Sequence, residues 1–199
     1  MARKVDHARR KREIAEKSIR LFSQVGYENV SLIMVAAATG VSRTVLYRYF
    51  CSKREILDAA IKAALAEVAC ACTAVVLRRE PALAKLEHVC HTAVDLLFKR
   101  REFVIAVFDF VLGMVRTGAD MNTGIRDYTA ATRLLIRRLL VQARRRGEMP
   151  ANLAVERISD VIYSEFESCA MRLVLNTERD SAAARGRFSD IVHALSLWK

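Results

Sequence analysis

The sequence predicts an all-α fold, and three observations carry that prediction. Only 7 Gly and 2 Pro occur in 199 residues, too few for the many tight turns that a strand-rich fold requires. Apolar side chains recur at three- and four-residue spacing along almost the whole chain. Helix-capping residues stand where that periodicity starts and stops. With 53% hydrophobic and 28% charged residues the chain can bury a sizeable core.

The elements follow in order. A first helix is expected at 7–25, with Ile14, Ser18, Leu21, Phe22 and Val25 on one face and Gly26 as its stop. Ser31 caps a short second helix, 32–39, and Gly40 permits a tight turn. Ser42 caps a third, 43–50. Ser52 and Glu55 form a capping box for a fourth, which extends to about residue 79, with Glu55 bonding back to Ser52. Pro81 opens a fifth, 81–100. Helices at 102–117 and 122–146 follow, the second ended by Gly147 and Pro150. The last two, 152–175 and 180–197, are joined by a four-residue connection.

The segment 31–50 concentrates three physical requirements. Ala36, Ala37 and Ala38 let two helices cross closely, Gly40 makes the turn, and the following helix exposes Ser42, Arg43, Thr44, Tyr47 and Arg48 between the buried Val41, Val45 and Leu46. This is the pattern of a recognition helix, whose N-terminal side chains reach base edges while cations and tyrosines reach phosphates. Charge agrees: residues 1–60 carry a net +6, residues 61–150 +6 and residues 151–199 −1, within a total of +11. A basic front suits a polyanion, and a near-neutral end suits protein contact.

Residues 30–57, VSLIMVAAATGVSRTVLYRYFCSKREIL, resemble the TetR family signature. The likeness lies in the alanine-rich helix, the G-V-S turn, the L-Y-x-Y/H-F end and the S-K-x-x-L start. The preceding IAEKSIRLFSQVGYENVS resembles that family's first helix and its aromatic link. The resemblance implies a DNA-binding helix-turn-helix domain, 1–53, and a helical effector-binding and dimerisation domain, 54–199. It implies DNA contacts from Ser31, Ser42, Arg43, Thr44, Tyr47, Arg48, Tyr49 and Lys53. Arg43 and Thr44 are expected at base edges, Tyr47 and Tyr49 at phosphate or sugar, and Lys53 at a phosphate on the fourth helix's N-terminus. Arg48 reads equally as a solvated charge, and Tyr49 as half core. Ile33 and Met34 depart from the family pattern, since polar or charged residues are usual there, and either could meet a thymine methyl or pack onto the body of the protein. The run Arg3, Lys4, Arg9, Arg10, Lys11 and Arg12 could add phosphate contacts, enter the minor groove or remain a solvated tail.

The helices at 152–175 and 180–197 are apolar over more than one stripe, so each needs burial on two sides. The resemblance implies a homodimer through this pair and a pseudo-palindromic double-stranded DNA operator. It also implies a pocket for a small apolar or aromatic effector, with candidate lining residues His91, Phe103, Phe108, Phe110, Tyr128, Tyr163 and Phe166. A packed core without an effector is the alternative reading for each. Glu87, His91 and Asp95 lie on one helical face with His88 nearby, a spacing open to metal ligation, pocket polarity or plain surface. No cofactor is expected, and no nucleophile–base pair or glycine-rich phosphate loop argues for an enzyme. Five cysteines without a C-x-x-C pair suit reduced thiols in the cytoplasm. The N-terminus reads as no signal peptide, and the apolar stretch 69–77 is too short to span a membrane.

Overall fold

A computed structural model describes residues 2–118 and 123–197, except for the side chains of 2–6, 123–125 and 128. Among the described residues there are nine α-helices and no strand: α1 (Ala2–Val25), α2 (Leu32–Thr39), α3 (Arg43–Tyr47), α4 (Lys53–Val76), α5 (Ala82–Lys99), α6 (Arg101–Thr117), α7 (Thr123–Arg145), α8 (Val155–Val174) and α9 (Ala182–Leu197). The chain forms two compact units. One comprises Met1–Ala66 and Glu102–Arg126, the other Glu67–Arg101 and Asp127–Lys199. Residue 53, where the functional boundary was expected, lies inside the first unit, and that unit also takes in nearly all of α6.

The first unit is built around Phe22, Leu46, Phe50, Ile56 and Leu57, all fully buried, together with Phe110 and Met114 of α6. Ser18 also sits in this interior, where its hydroxyl donates to the Ile14 carbonyl at 2.7 Å and so meets its own hydrogen-bonding need. Gly26 ends α1 at φ +86°, a conformation that any side chain would strain. Helix α3 stops at Tyr47, three residues before the expected end. Residues 48–50 turn back onto α3 through bonds from the Tyr49 and Phe50 N–H groups to the Leu46 carbonyl, which points Phe50 into the core. Ser52 caps α4 by accepting from the Glu55 N–H at 3.2 Å. The Glu55 carboxylate reaches the Cys51 N–H at 3.0 Å, one residue earlier than a standard box predicts.

The second unit packs Leu86, Cys90 and Val94 of α5 against Ile136 and Leu140 of α7, Ile162 and Cys169 of α8, and Phe188 and Val192 of α9. Helix α4 ends at Val76, three residues short of expectation, and the buried Lys85 explains the stop: its amine donates to the Val76 carbonyl at 2.7 Å. Pro81 offers no side-chain cap to α5. The carboxylate of Glu148 supplies one instead, accepting the Leu83 N–H at 2.8 Å. Arg187 on α9 fastens the last hairpin. It donates to Glu165 of α8 at 2.5 Å and, with two nitrogens, to Glu178 of the connecting loop at 3.0 and 2.8 Å.

Helix α4 is long and apolar enough, by length and composition, to cross a membrane, which the short stretch 69–77 did not suggest. Part of that apolar character has an internal use: Ile56, Leu57, Ala60 and Ile61 belong to the first core, and Cys72 and Val75 to the second.

Candidate nucleic-acid interface

Helices α2 and α3 owe their relative placement to short-range chemistry. Ser31 accepts the Met34 N–H at 3.3 Å and starts α2. Gly40, at φ +70°, ends it and returns its N–H to the α2 carbonyls. Ser42 accepts the Val45 N–H at 3.2 Å and starts α3. Leu46 is then fully buried and locks the rotation of α3, so Arg43, Thr44, Tyr47 and Arg48 all face outward. Tyr47 is 54% exposed, which is high for a residue of its size and places its phenol in water. Among the described residues, neither Arg43 nor Arg48 has an acidic partner. The outer face of α3 is therefore cationic, aromatic and uncompensated, a surface whose natural complement is a phosphate-bearing groove.

The remaining candidates fall in several places. Ser31 and Ser42 are exposed, with their hydroxyls already engaged as caps. Tyr49 is half-buried, its ring 4.5 Å from that of His7 on α1. Ile33 is 50% exposed on α2 and free to meet an apolar group. In the basic N-terminal run, Arg10 pairs with Glu13 at 3.1 Å and Arg12 with Glu16 at 3.0 Å. The side chains of Arg3 and Lys4 lie outside the described residues.

Lys53 is placed otherwise than the resemblance implies. Its amine donates to the carbonyls of Tyr27 and Glu28 at 2.8 and 2.9 Å and lies 3.3 Å from the Glu28 carboxylate. It also stands 4.5 Å over the Tyr27 ring. All three donors of the ammonium are spent on the loop between α1 and α2, so a phosphate would have to displace one of them. The same loop is held from α6, where Asp109 accepts the Tyr27 N–H at 2.6 Å and the Phe110 ring meets the Tyr27 ring edge-on at 4.8 Å. Burial pushes the Tyr27 phenol up to about 12. No local signal marks Asp109, because its partner lies 82 residues away.

The expected effector residues are distributed over two separate cores. Phe103 and Phe110 belong to the first. Tyr163 and Phe166 belong to the second, where Phe166 packs on Phe188 at 4.5 Å and the Tyr163 hydroxyl donates to Thr129 at 3.1 Å. Phe108 is half-buried on α6, and the Tyr128 side chain lies outside the described residues. His91 faces α9. Its Nε2 is 3.2 Å from the Arg185 carbonyl, which can only accept, so this nitrogen carries the proton and also donates to the Ser189 hydroxyl at 3.1 Å. Ser189 in turn donates to Glu87 at 2.5 Å, and Ser181 to Asp95 at 2.5 Å. The stripe Glu87, His91 and Asp95 is thus a polar seam that fastens α5 to α9. His88 turns elsewhere, to Glu80 at 2.9 Å. A protonated Nε2 cannot act as base towards Ser189, so this Ser–His–Glu trio lacks the order that nucleophilic catalysis needs.

The cysteines divide cleanly. Cys51 and Cys70 are exposed, whereas Cys72, Cys90 and Cys169 are buried and free. Burial raises the pKa of all three buried thiols, that of Cys169 to about 11.

A short capped helix packed against a glycine turn, presenting unpaired cations and a tyrosine from a rigid three-helix base, defines a helix-turn-helix DNA-binding regulator. Residues 14–60 match the family model described as bacterial regulatory proteins, tetR family. The matched segment is the helix-turn-helix, so residues 14–60 are similar to the DNA-binding domain of the TetR family of transcriptional regulators. No curated protein matches it in sequence. Solved structures share its fold. The transcriptional regulator FadR from Bacillus subtilis, in complex with stearoyl-CoA, has a TM-score of 0.73 at 16% identity, covering 92% of this chain and 96% of its own. The TetR-family regulator PfmR from Thermus thermophilus has a TM-score of 0.72 at 20% identity, covering 90% and 93%. The ketosteroid transcriptional regulator KstR2 of Mycobacterium tuberculosis has a TM-score of 0.71 at 16% identity, covering 94% and 95%.

Proposed function

We propose that this regulator is a cytoplasmic homodimeric repressor that binds a pseudo-palindromic operator and is released by a small apolar or aromatic effector. The observation that carries the DNA-binding part is the outward face of α3, with Arg43, Thr44, Tyr47 and Arg48 exposed around the fully buried Leu46. Arg43 and Thr44, on the first turn, read bases; Tyr47 and Arg48 hold the backbone.

Dimerisation is supported by the two-sided character of the last helices. Helix α8 buries Ile162, Tyr163, Cys169 and Leu173 inward while leaving Val161, Met171 and Leu175 at 58%, 46% and 63% exposure. Helix α9 buries Phe188 and Val192 and exposes Leu197 at 66%. Exposed large side chains at helical spacing on adjacent helices need a cover, and a second copy supplies it with two-fold symmetry. The apolar effector is supported by the neighbours' chemistry, since one was solved with stearoyl-CoA and another is a ketosteroid regulator. Release has a route in the first unit, where α6 grips the loop at Tyr27 that orients the helix-turn-helix.

The test is selection of bound sequences from random double-stranded DNA at physiological salt. Enrichment of a two-fold consensus with half-sites about a helical turn apart is the expected result. An asymmetric consensus would remove the dimer, and no enrichment would remove the sequence-specific reading.

A further inference from the structure

Helix α7 presents a feature that DNA binding, dimerisation and the aromatic effector residues leave unused. A groove of about 440 Å³ runs along it, lined by Leu134, Arg137, Arg138, Val141, Gln142 and Arg145. These residues recur every three to four positions, so the groove follows one helical face for roughly 16 Å, at 1.5 Å per residue. Its volume falls in the range of small-molecule sites. None of the residues expected to hold the effector lines it.

The lining has two halves with opposite chemistry. Leu134 is 46% exposed and, with the half-buried Val141, offers an apolar floor to water. Three guanidinium groups surround that floor. Arg137 is compensated by Glu156 of α8 at 2.9 Å. Arg138 and Arg145 are exposed and, among the described residues, have no hydrogen-bond or ion-pair partner. The groove therefore carries two uncompensated positive charges beside an apolar strip. A carboxylate would neutralise one of them. A phosphate monoester, with a charge of about −1.5 to −2 at neutral pH and three acceptor oxygens, matches both and accepts the forked guanidinium donors.

We propose that the α7 groove is a binding site for an amphiphilic phosphate monoester, with the phosphate between Arg138 and Arg145 and the apolar tail along Leu134 and Val141. Gln142, on the same face, hydrogen-bonds the ester or phosphate oxygen from its amide. The inference does not rest on the proposed operator or on the interior effector, because it concerns direct binding to the DNA-free protein.

The test is calorimetric titration of the full chain with octyl phosphate below its micelle concentration, beside octanoate and inorganic phosphate. Expected are one site per chain, weaker binding of both comparison anions, and about tenfold weaker octyl phosphate binding in R138Q/R145Q. Both arginines are exposed, so the variant should keep the circular dichroism and melting curve of the parent. L134S should weaken octyl phosphate and leave inorganic phosphate unchanged. Unaltered binding in R138Q/R145Q would place the amphiphile elsewhere and overturn the proposal. So would inorganic phosphate binding as tightly as octyl phosphate, or binding to phosphatidylglycerol vesicles without any to octyl phosphate. A change of oligomer mass in R138Q/R145Q, read by sedimentation, would make the groove a subunit contact and overturn it equally.

Discussion

Replacing Lys53 by Met separates two roles that a lysine at the start of α4 can play. The structure spends its ammonium on the α1–α2 loop, at 2.8 and 2.9 Å from two carbonyls, with the side chain 25% exposed. Hydrogen bonds from charged donors contribute about 1.5–3 kcal/mol each. The Glu28 carboxylate is 69% exposed, so its ion pair adds little. Two carbonyl bonds at the low end give about 3 kcal/mol. Releasing the side chain from its fixed rotamer offsets up to about 2 kcal/mol of that. The expected loss is therefore roughly 1–3 kcal/mol, a fall in Tm of about 2–12 °C for a chain of this size. Operator affinity measured on folded protein should change by less than about twofold, and the slope of log K against log salt should stay constant. A lysine held on phosphate gives the opposite pattern: unchanged melting, and a slope reduced by about 0.9 per contact, or roughly 1.8 for a dimer. That second pattern, read by thermal melts and salt-dependent anisotropy, would refute the assignment of Lys53 to the loop.

Arg43→Ala should cost about 1–3 kcal/mol on the selected operator and little on unrelated DNA, whereas Arg48→Gln should weaken both alike and lower the salt slope. Competition binding at two salt concentrations separates these outcomes. Phe188→Ala empties a fully buried site in the second core and should cost about 3–5 kcal/mol in urea unfolding. In the folded protein Cys51 and Cys70 should react quickly with a thiol reagent and Cys72, Cys90 and Cys169 only after denaturation; a third fast thiol would contradict the burial. The Tyr27 phenol titrates at about 12 when folded, against 10.0 otherwise. The folded state thus favours the neutral form; the stabilisation is fully present below pH 10 and is lost as pH rises from about 10 towards 12, where the unfolded phenol gives up its proton first. Put in terms of protons, between these values the folded chain holds a proton that the unfolded chain has released, so raising the pH through this window destabilises the fold relative to its level at higher proton activity. Tyr27→Phe should flatten that part of the stability profile relative to the parent.

Sequence revealed most where the cause of structure is local. The caps at Ser31 and Ser42, the turn at Gly40 and the exposure of Arg43, Thr44, Tyr47 and Arg48 all arise within four residues of the group concerned. Helix ends are less legible because distant groups set them. Helix α4 stops at Val76 because Lys85 takes its carbonyl, and α5 begins with an N–H held by Glu148, 65 residues away. Lys53 shows the same limit in the site itself. A lysine beside a helix N-terminus looks like a phosphate ligand until the fold brings two carbonyls to it. The aromatic residues of the middle helices are legible as apolar but not as belonging to one core or another, since hydrophobicity has no direction in sequence.

The placement of α6 bears on where sensing and DNA binding meet. A division at residue 53 would leave α4 as the sole connection out of the helix-turn-helix. The packing instead puts Phe110 and Met114 of α6 in the same core as Phe22 and Leu57, and Asp109 on the Tyr27 N–H at 2.6 Å. The loop between α1 and α2 is therefore gripped twice, by Lys53 of α4 and by Asp109 and Phe110 of α6. A close-packed core transmits small displacements, because its side chains have few alternative arrangements. A shift of α6 by a fraction of a helical turn would reach Tyr27 without passing through α4. Asp109→Asn keeps the shape and removes the charge, so it isolates this grip. It should leave operator affinity within about twofold while speeding amide exchange at 26–30, and it should reduce the release produced by effector. If exchange quickens and release is unchanged, α4 alone carries the signal.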